Sequence, residues 1–358
     1  MEGSIRKGLK NMKSYRVGIL GATGAVGREM MKILAERNFP LEELRLLASE
    51  KSVGKTIVYP GDGKEYPVQL ACDSAFKGLN IVLGAAANPV AIRFRDSIVK
   101  AGALFIDNSS AFRMDEDVPL VVPEINPEDI FRHHGVIANP NCSTIITLMA
   151  VKGINKLSHI KGMYVSTYQA TSGAGINGPI ELMDEMADLV EQYEGDEIPM
   201  TVNTVTPKTF AYQIAGNVIP AIGGDAYEGY TKEEMKMQNE GRKILHLPKL
   251  LVDCTCVRVP VVRSHAISAT IITEKPLTVD EVKAQLGKED GVVFYDNLNE
   301  GIYPMPIITS DQDLVYVGRV RKDLVNPNGI TLFCCGDQVR KGAASNAVDI
   351  AVRYIQGK

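Results

Sequence analysis

One cysteine in the sequence lies in a setting that suits nucleophilic chemistry. Cys142 belongs to NPNCST (139–144), where it follows a Pro-Asn turn and begins a stretch with helical periodicity. A thiol at a helix N-terminus ionises more readily, and the thiolate is the form that attacks a carbonyl or an acyl phosphate. We expect Ser143 or Thr144 to cap this helix. On spacing alone, a nucleophile and a buried structural thiol are equally good interpretations.

The other five cysteines indicate no chemistry of their own. Cys254 and Cys256 alternate along a predicted strand, and Cys334 and Cys335 are neighbours in another apolar run. Neither pair has zinc-site spacing with histidines, so we expect no metal site. We expect these four residues and Cys72 to be small, buried, reduced side chains.

A nucleophilic cysteine needs a proton partner and a substrate clamp. His265 is the one histidine within a β-rich run, VVRSHAISA, and Arg258 precedes it in CTCVRVPVV. A structural histidine and an ion-paired arginine are the alternative interpretations. Because the two residues are seven apart, they lie on opposite faces of one straight strand. They can converge only if Pro260, or the Arg-Ser pair before His265, bends the chain or ends the strand.

A glycine turn near the start of the chain predicts a nucleotide site. Gly21, Gly24 and Gly27 follow a short apolar stretch and open a helical one, with the spacing G-x-x-G-x-x-G. Glycines let backbone N–H groups approach a pyrophosphate, and a helix N-terminus favours its negative charge. A tight strand–helix turn without a ligand is the alternative.

The end of the second predicted strand bears on the choice of cofactor. Ser49, Lys51 and Ser52, in LLASEKSVG, suit a ribose 2′-phosphate, whereas Glu50 opposes one. We therefore predict NADP rather than NAD.

The elements that position these residues follow a strand–helix alternation. The predicted strands before Cys142 span 15–20, 44–48, 80–87, 103–110, 120–126 and 135–141. Short apolar strands separated by helices are typical of a parallel, doubly wound, Rossmann-like sheet.

After Cys142 the pattern changes to long β-rich runs mixed with helices. Helices are predicted at 179–193 and 231–245, and a strand at 161–173. Such runs indicate an α+β domain with a mostly antiparallel sheet. The helical segment from 339 is predicted to return to the first domain. We therefore assign residues 1–141 and 340–358 to a cofactor domain, and 142–339 to a catalytic and dimerisation domain.

Composition excludes several classes of protein. The chain has 358 residues, 45% of them hydrophobic and 23% charged, with a net charge of −4. This predicts two globular domains without a basic surface for nucleic acid. The absence of an apolar stretch of about 18 residues predicts no membrane span. The first apolar run is too short for a secretory signal, so we expect a cytoplasmic protein.

Taken together, the motifs resemble those of aspartate-β-semialdehyde dehydrogenases, in order from about residue 15 to the C-terminus. The matching motifs are GATGAVG, DNSSAFR, LVVPEIN, NPNCST, VSTYQATSGAG, EEMK, CVRVPV with SH, VGRVRKDL and KGAASNAV. The resemblance implies reduction of L-4-aspartyl phosphate to L-aspartate 4-semialdehyde and phosphate with NADPH, in the biosynthesis of lysine, threonine and methionine. It also implies a homodimer through the sheet of the second domain, or a dimer of dimers.

The resemblance assigns roles to individual residues. Cys142 matches the nucleophile, His265 the acid/base and Gln169 the residue that orients the acyl intermediate, with Asn141 beside them. The matches for substrate binding are Arg258 for the carboxylate, Glu233 for the amine, and Arg113 with Lys236 for the phosphate. The residues expected at the cofactor are Gly21, Thr23, Gly24, Ala25, Val26, Gly27, Ser49, Lys51, Ser52, the segment from Ser172 and Gly173 to Gly175, and Asn346.

Lys51 stands where an arginine is common in the family, and Glu50 adds a negative charge beside it. Related readings are N-acetyl-γ-glutamyl-phosphate reductase, which NPNCST disfavours, and malonyl-CoA reductase, which shares the thioester intermediate. A non-catalytic NADP-binding regulator is the alternative from another class. It would not need Cys142, Gln169, Arg258 and His265, all of which are present.

Overall fold

The computed structural model describes residues 12–192 and 204–357, so residues 1–11, Tyr193 and the ten residues after it, and Lys358 lie outside the description. The chain forms two compact units. The first comprises the chain up to Lys152, Asn239–Leu250 and the segment from Val339, and the second comprises Gly153–Gln238 and Leu251–Gln338. These units differ from the predicted division in placing 142–152, Asn239–Leu250 and Val339 in the first unit.

The first unit contains a seven-stranded sheet. Its strands are β1 (Tyr15–Leu20), β2 (Leu41–Ala48), β3 (Thr56–Val58), β4 (Glu65–Leu70), β5 (Ile81–Gly84), β6 (Leu104–Asp107) and β7 (Val136–Ala138). Their order is β3-β4-β2-β1-β5-β6-β7, and every neighbouring pair is parallel except β3 with β4. The strands that follow β1 are added first on one side of it (β2 to β4) and then on the other (β5 to β7), which confirms the doubly wound prediction. Such sheets bind ligands at the carboxyl end of the strands where this change of side occurs.

Helices α1 (Ala25–Glu36) and α2 (Asn88–Lys100) pack against this sheet. The next helix along the chain is α3 (Cys142–Leu157). The apolar face of α1, which includes Met30, Ile33 and Leu34, packs against strand residues such as Val17 and Ile19. This burial is what holds the start of α1 against the end of β1.

The segment 120–126 is not a strand, so that prediction was wrong. Only Leu120 forms a bridge, to Ala138, and residues 123–125 form a turn. The side chain of Asn126 accepts a hydrogen bond from the Val122 N–H and donates one to the Leu120 carbonyl. A side chain therefore satisfies backbone groups that a strand would have paired, and the apolar side chains stay buried without a strand.

The second unit contains a six-stranded mixed sheet and a short hairpin. The strands are β8 (Ile160–Gln169), β9 (Asp225–Tyr227), β10 (Tyr230–Thr231), β11 (Leu251–Arg258), β12 (His265–Thr273), β13 (Val292–Phe294), β14 (Val315–Lys322) and β15 (Gly329–Gly336). The large sheet has the order β11-β8-β12-β15-β14-β13. The pairs of β8 with β11 and of β13 with β14 are parallel and the other three are antiparallel, as predicted for a mostly antiparallel sheet.

The remaining helices are α4 (Asn177–Glu191), α5 (Lys232–Ile244), α6 (Val279–Leu286), α7 (Pro306–Thr309) and α8 (Ser345–Gln356). A π-helical turn, Arg340–Ala344, precedes α8, whose apolar residues belong to the core of the first unit. Within the described residues, no helix is both long and apolar enough to cross a membrane.

Candidate active site

Cys142 is the first residue of α3, and Asn141 caps that helix. The Asn141 Oδ1 atom accepts hydrogen bonds from the backbone N–H groups of Ser143 (3.0 Å) and Thr144 (3.2 Å). These are the bonds that an N-cap side chain makes. The prediction that Ser143 or Thr144 caps the helix was wrong, because both lie inside its first turn with buried side chains. Cys142 itself is only partly buried.

The turn before Cys142 is held by side chains from distant parts of the first unit. Arg113 donates from Nε to the Asn139 carbonyl (2.9 Å) and from Nη2 to the Asn108 carbonyl (2.8 Å). Its Nη1 atom donates to Oε1 of Glu240 (3.0 Å), and Oε2 of Glu240 accepts from the Asn141 N–H (2.6 Å). The loop that precedes the thiol is therefore fixed at two points, the Asn139 carbonyl and the Asn141 N–H.

Asn346, predicted near the nicotinamide, also contacts this turn. Its Nδ2 atom donates to Oδ1 of Asn139 (2.7 Å) and to the Val121 carbonyl (2.9 Å). Its Oδ1 atom accepts from Nζ of Lys341 (3.1 Å), which in turn pairs with the Glu124 carboxylate. These bonds fix the orientation of the Asn346 amide, and its place beside a nicotinamide stays a prediction.

Three predicted residues of the second unit stand at the ends of adjacent strands. Gln169 ends β8 and Arg258 ends β11, where the two residues are register partners, and His265 begins β12. The backbone between Arg258 and His265 leaves the strand conformation, and Ser264 has a φ of 73°. A methyl group added at Gly173 would lie 2.7 Å from Arg258 Nη1 and 3.2 Å from His265 Cε1. The strand break required for convergence is thus present, and both side chains reach the same glycine.

The surroundings of His265 favour its neutral form. The ring is fully buried, and its Nδ1 atom accepts a hydrogen bond from the Ala170 N–H (3.0 Å). Burial, followed by the charge of Arg258, lowers the pKa of His265 to about 3, while Glu233 acts in the opposite direction. Because Nδ1 is the acceptor, the neutral ring carries its proton on Nε2.

Glu233 links the other predicted residues of this unit. Its Oε2 atom accepts from Lys236 Nζ (2.8 Å), three residues along α5, and its Oε1 atom accepts from Gln169 Nε2 (3.3 Å). The Gln169 Oε1 atom accepts from the Thr167 hydroxyl (3.0 Å), which sets the orientation of the Gln169 amide. Arg258 donates from Nη1 to the Ala170 carbonyl (2.6 Å).

The glycine turn fits a pyrophosphate. Gly21 has a φ of 89°, and a methyl group there would lie 2.6 Å from the Ala85 carbonyl oxygen. At Gly27 it would lie 2.4 Å from the Gly21 carbonyl oxygen, so neither position accepts a side chain. Gly24 is the N-cap of α1 and has no side chain to cap the helix. The backbone N–H groups of the first turn can therefore donate to an anion. Thr23, Ala25 and Val26 complete this turn and the start of the helix.

The predicted 2′-phosphate residues lie at the end of β2. Glu50–Ser52 form a short 3-10 turn, with Ser49 in front of it and with Lys51 exposed. The Ser52 hydroxyl is 3.4 Å from the Thr23 hydroxyl. The structure therefore brings one of these residues next to the glycine turn. In the second unit, Ser172 and Gly173 form a separate 3-10 turn after β8, where the Gln338 amide donates to the Ser172 hydroxyl.

Comparisons with known proteins match two family models along the chain. Residues 16–133 match the family model of the semialdehyde dehydrogenase NAD binding domain, and residues 151–341 match that of the semialdehyde dehydrogenase dimerisation domain. An aspartate-semialdehyde dehydrogenase from Synechocystis is 45% identical over 341 residues, which are 95% of this chain and 97% of that protein. The chain belongs to the aspartate-semialdehyde dehydrogenase family. It is accordingly an oxidoreductase with a pyridine-nucleotide domain, as the sequence resemblance predicted.

Further family members give the same result. An aspartate-semialdehyde dehydrogenase from Aquifex aeolicus is 46% identical and covers 94% of this chain and 97% of its own length. The crystal structure of aspartate semialdehyde dehydrogenase II from Vibrio cholerae, complexed with ASA, aligns with a TM-score of 0.88 at 41% identity. That alignment covers 96% of this chain and 99% of the other.

Sequence reasoning missed Asn139 and Glu240. Asn139 is fully buried in the family motif NPNCST, and its side chain contacts Asn108 and Asn346. Glu240 is seven residues after Glu233 on the same helix, so the two share a face. That spacing was the one sequence signal that could have pointed to Glu240.

All six cysteines lie in the described residues, and all six are thiols. Cys254, Cys256, Cys334 and Cys335 are buried as predicted, but Cys72 is only partly buried, so that part of the prediction was wrong. Among the described residues, one group has metal-ligand geometry: Glu128, Asp129 and His246 have potential ligand atoms within 4.8 Å of one another. Asp129 already accepts from Asn126 and is 3.0 Å from His246 Nε2. These contacts show that Asp129 already has protein partners.

Proposed function

We propose that the chain catalyses the reductive dephosphorylation of L-4-aspartyl phosphate to L-aspartate 4-semialdehyde, with NADPH as the reductant. This reaction would serve lysine, threonine and methionine biosynthesis. The observation that carries the proposal is Cys142, a partly exposed thiol on the first residue of a capped helix, in a member of this family. The family context supports the nucleophile interpretation, which spacing alone left equal to that of a buried structural thiol.

In this mechanism the Cys142 thiolate attacks the acyl carbon of the substrate. A carbon–sulfur bond forms, the bond from carbon to the phosphate oxygen breaks, and inorganic phosphate leaves with that electron pair. The product of the first half-reaction is a thioester on Cys142. Gly21, Gly24 and Gly27 would hold the pyrophosphate of NADPH, and the cofactor would supply the hydride that reduces this thioester. Collapse of the resulting thiohemiacetal expels the thiolate and releases the aldehyde.

His265 serves as the acid/base residue. Its Nε2–H group is suited to donate to the oxygen that becomes negative in each half-reaction, because the Ala170 amide holds the ring in that tautomer. Gln169 would orient the acyl group with its fixed side-chain amide. Backbone N–H groups at the start of α3 would add to stabilisation of the oxyanion.

Substrate binding would use charged groups with complementary geometry. Arg258 offers a planar fork to the α-carboxylate, and Glu233 pairs with the α-amine. Arg113 and Lys236 would bind the phosphate. Three of the five N–H groups of Arg113 are already used by protein acceptors, which leaves two for a phosphate oxygen.

We further propose NADP as the preferred cofactor and a homodimer as the working assembly. A preference for NADP is supported by Lys51 and by the Ser52 hydroxyl next to the glycine turn. A homodimer is supported by the match to a dimerisation domain. A dimer of dimers and a cytoplasmic location remain predictions from the sequence.

The test is phosphate-dependent oxidation of aspartate semialdehyde with NADP and with NAD. The wild-type protein is expected to turn over with NADP and to do so poorly with NAD. Cys142→Ala should bind NADPH normally and show no turnover, whereas Cys72→Ala, a thiol outside the site, should match the wild type. Substantial activity in Cys142→Ala would sink the thioester mechanism. Turnover on malonyl-CoA alone would instead assign the chain to a related reductase.

A further inference from the structure

A buried carboxylate lies against the loop that carries the proposed nucleophile. Glu240 is 1% exposed, and each of its two oxygens accepts a hydrogen bond, one from that loop and one from the Arg113 side chain that holds the loop. Oε1 accepts from Arg113 Nη1 (3.0 Å) and Oε2 accepts from the Asn141 N–H (2.6 Å). A carboxylate is buried at low cost only when its charge is paired and its oxygens are satisfied, and both conditions are met here.

The two partners of Glu240 control opposite ends of the same turn. Asn141 caps α3 with its side chain, so its amide fixes the residue that directly precedes Cys142. Arg113 holds the other end, where its Nε atom donates to the Asn139 carbonyl. Loss of the Glu240 charge would weaken one of the three hydrogen bonds of Arg113 and the hydrogen bond of the Asn141 N–H together, because one carboxylate accepts both.

We propose that Glu240 is a positioning residue that sets the direction of the Cys142 side chain and orients Arg113. The inference rests on the proposed function, in which Cys142 is the nucleophile and Arg113 a phosphate ligand. The hydrogen bond from Nη1 to Oε1 of Glu240 adds to the two backbone contacts of Arg113 and helps to fix the guanidinium plane. The direction of each of the two remaining N–H groups is then fixed as well. With Oε2 engaged on the amide of Asn141, the first turn of α3 starts at a fixed angle.

The test uses Glu240→Gln. Glutamine keeps the shape but supplies one acceptor, and its NH2 group faces either Arg113 or the Asn141 N–H, donor against donor. We expect kcat per folded molecule to fall about tenfold to a hundredfold, the loss typical of a displaced reacting group. The alkylation rate of Cys142 by iodoacetamide should change as well, while the Kd for NADPH should stay within about twofold of the wild type, since the glycine turn is a separate element.

Glu289→Gln is the matched control. Glu289 is also buried and also accepts from a cation and an amide, Lys156 and Gln285, but it lies in the second unit, and Lys156 is in the last turn of α3, at the opposite end from Cys142. This variant should lose thermal stability without losing kcat or changing alkylation. Glu240→Asp keeps the charge on a shorter side chain and should recover part of the activity that Glu240→Gln loses.

A Glu240→Gln protein that unfolds earlier but keeps wild-type kcat and alkylation per folded molecule would overturn the proposal. If Glu240→Gln does not fold, Glu240→Asp decides in the same way, since a shortened side chain must still alter alkylation. The alkylation assay needs no substrate. A wild-type protein without phosphate-dependent turnover therefore refutes the proposed function while still leaving the position of the thiol to be measured.

Discussion

His265 is placed to act as a neutral hydrogen-bond donor rather than as an imidazolium. The Ala170 amide occupies Nδ1, and protonation of that atom would turn an accepted hydrogen bond into a repulsion between two donors. Burial and Arg258 act in the same direction and lower the pKa of His265 to about 3. A neutral ring keeps its Nε2 proton available throughout the physiological pH range.

This arrangement predicts a specific acid sensitivity of folding. The ring binds a proton below about pH 6.5 in the unfolded chain but only near pH 3 in the folded one. The unfolded state therefore binds more protons between these values, so stability is full above pH 6.5 and falls as the pH drops towards 3. His265→Gln should reduce the slope of the free energy of unfolding against pH by about 1.4 kcal/mol per pH unit, which is the contribution of one proton. Urea unfolding at several pH values measures it, and identical slopes for the two proteins would contradict the assignment.

At the scale of elements, the glycine turn carries the most specific steric requirement. Gly27 is the position where α1 crosses the end of β1, and a methyl group there would lie 2.4 Å from the Gly21 oxygen and 2.8 Å from the Ala22 Cα. Both are backbone atoms, which cannot move aside as a flexible side chain can. The strand and the helix would have to separate.

Gly27→Ala is therefore expected to lower stability by about 1–3 kcal/mol, the usual cost of overpacking, and to weaken NADPH binding at least tenfold. Gly224→Ala is the matched control, because a methyl group at Gly224 meets no atom within 4 Å. Thermal unfolding and NADPH fluorescence titration report the two effects. Wild-type values for Gly27→Ala in both measurements would show that α1 and β1 do not pack as described.

The sequence predicted correctly those elements whose signal, apolar periodicity or glycine spacing, lies within one short stretch of residues. The first strand was predicted at 15–20 and found there, and the strand–turn–helix context of Gly21 was correct. The segment 120–126 failed because burial without a strand depends on Asn126, a side-chain bond that apolar periodicity does not report. The link from Glu240 to Asn141 spans 99 residues, so it follows from the fold rather than from any motif.

At the scale of the whole molecule, one face of the large sheet in the second unit suits association. Tyr164 on β8 is 61% exposed, and Leu251 on β11 is exposed on the same face, two strand positions from the register partner of Tyr164. Phe333 on β15 packs its ring against Tyr168 there. An aromatic and aliphatic sheet face is a typical protein interface, and this unit matches the dimerisation domain of the family.

We therefore expect Tyr164→Asp to weaken the homodimer. A carboxylate at this position would be desolvated against its own copy or a neighbouring apolar side chain, at a cost that association must overcome. Val58→Asp is the control, because Val58 is exposed to a similar degree (56%) on a short strand of the first unit. Sedimentation velocity at micromolar concentration should show monomer for Tyr164→Asp and dimer for Val58→Asp. Retention of the dimer by both variants would place the interface on another surface, because a carboxylate buried at the centre of the interface would weaken association.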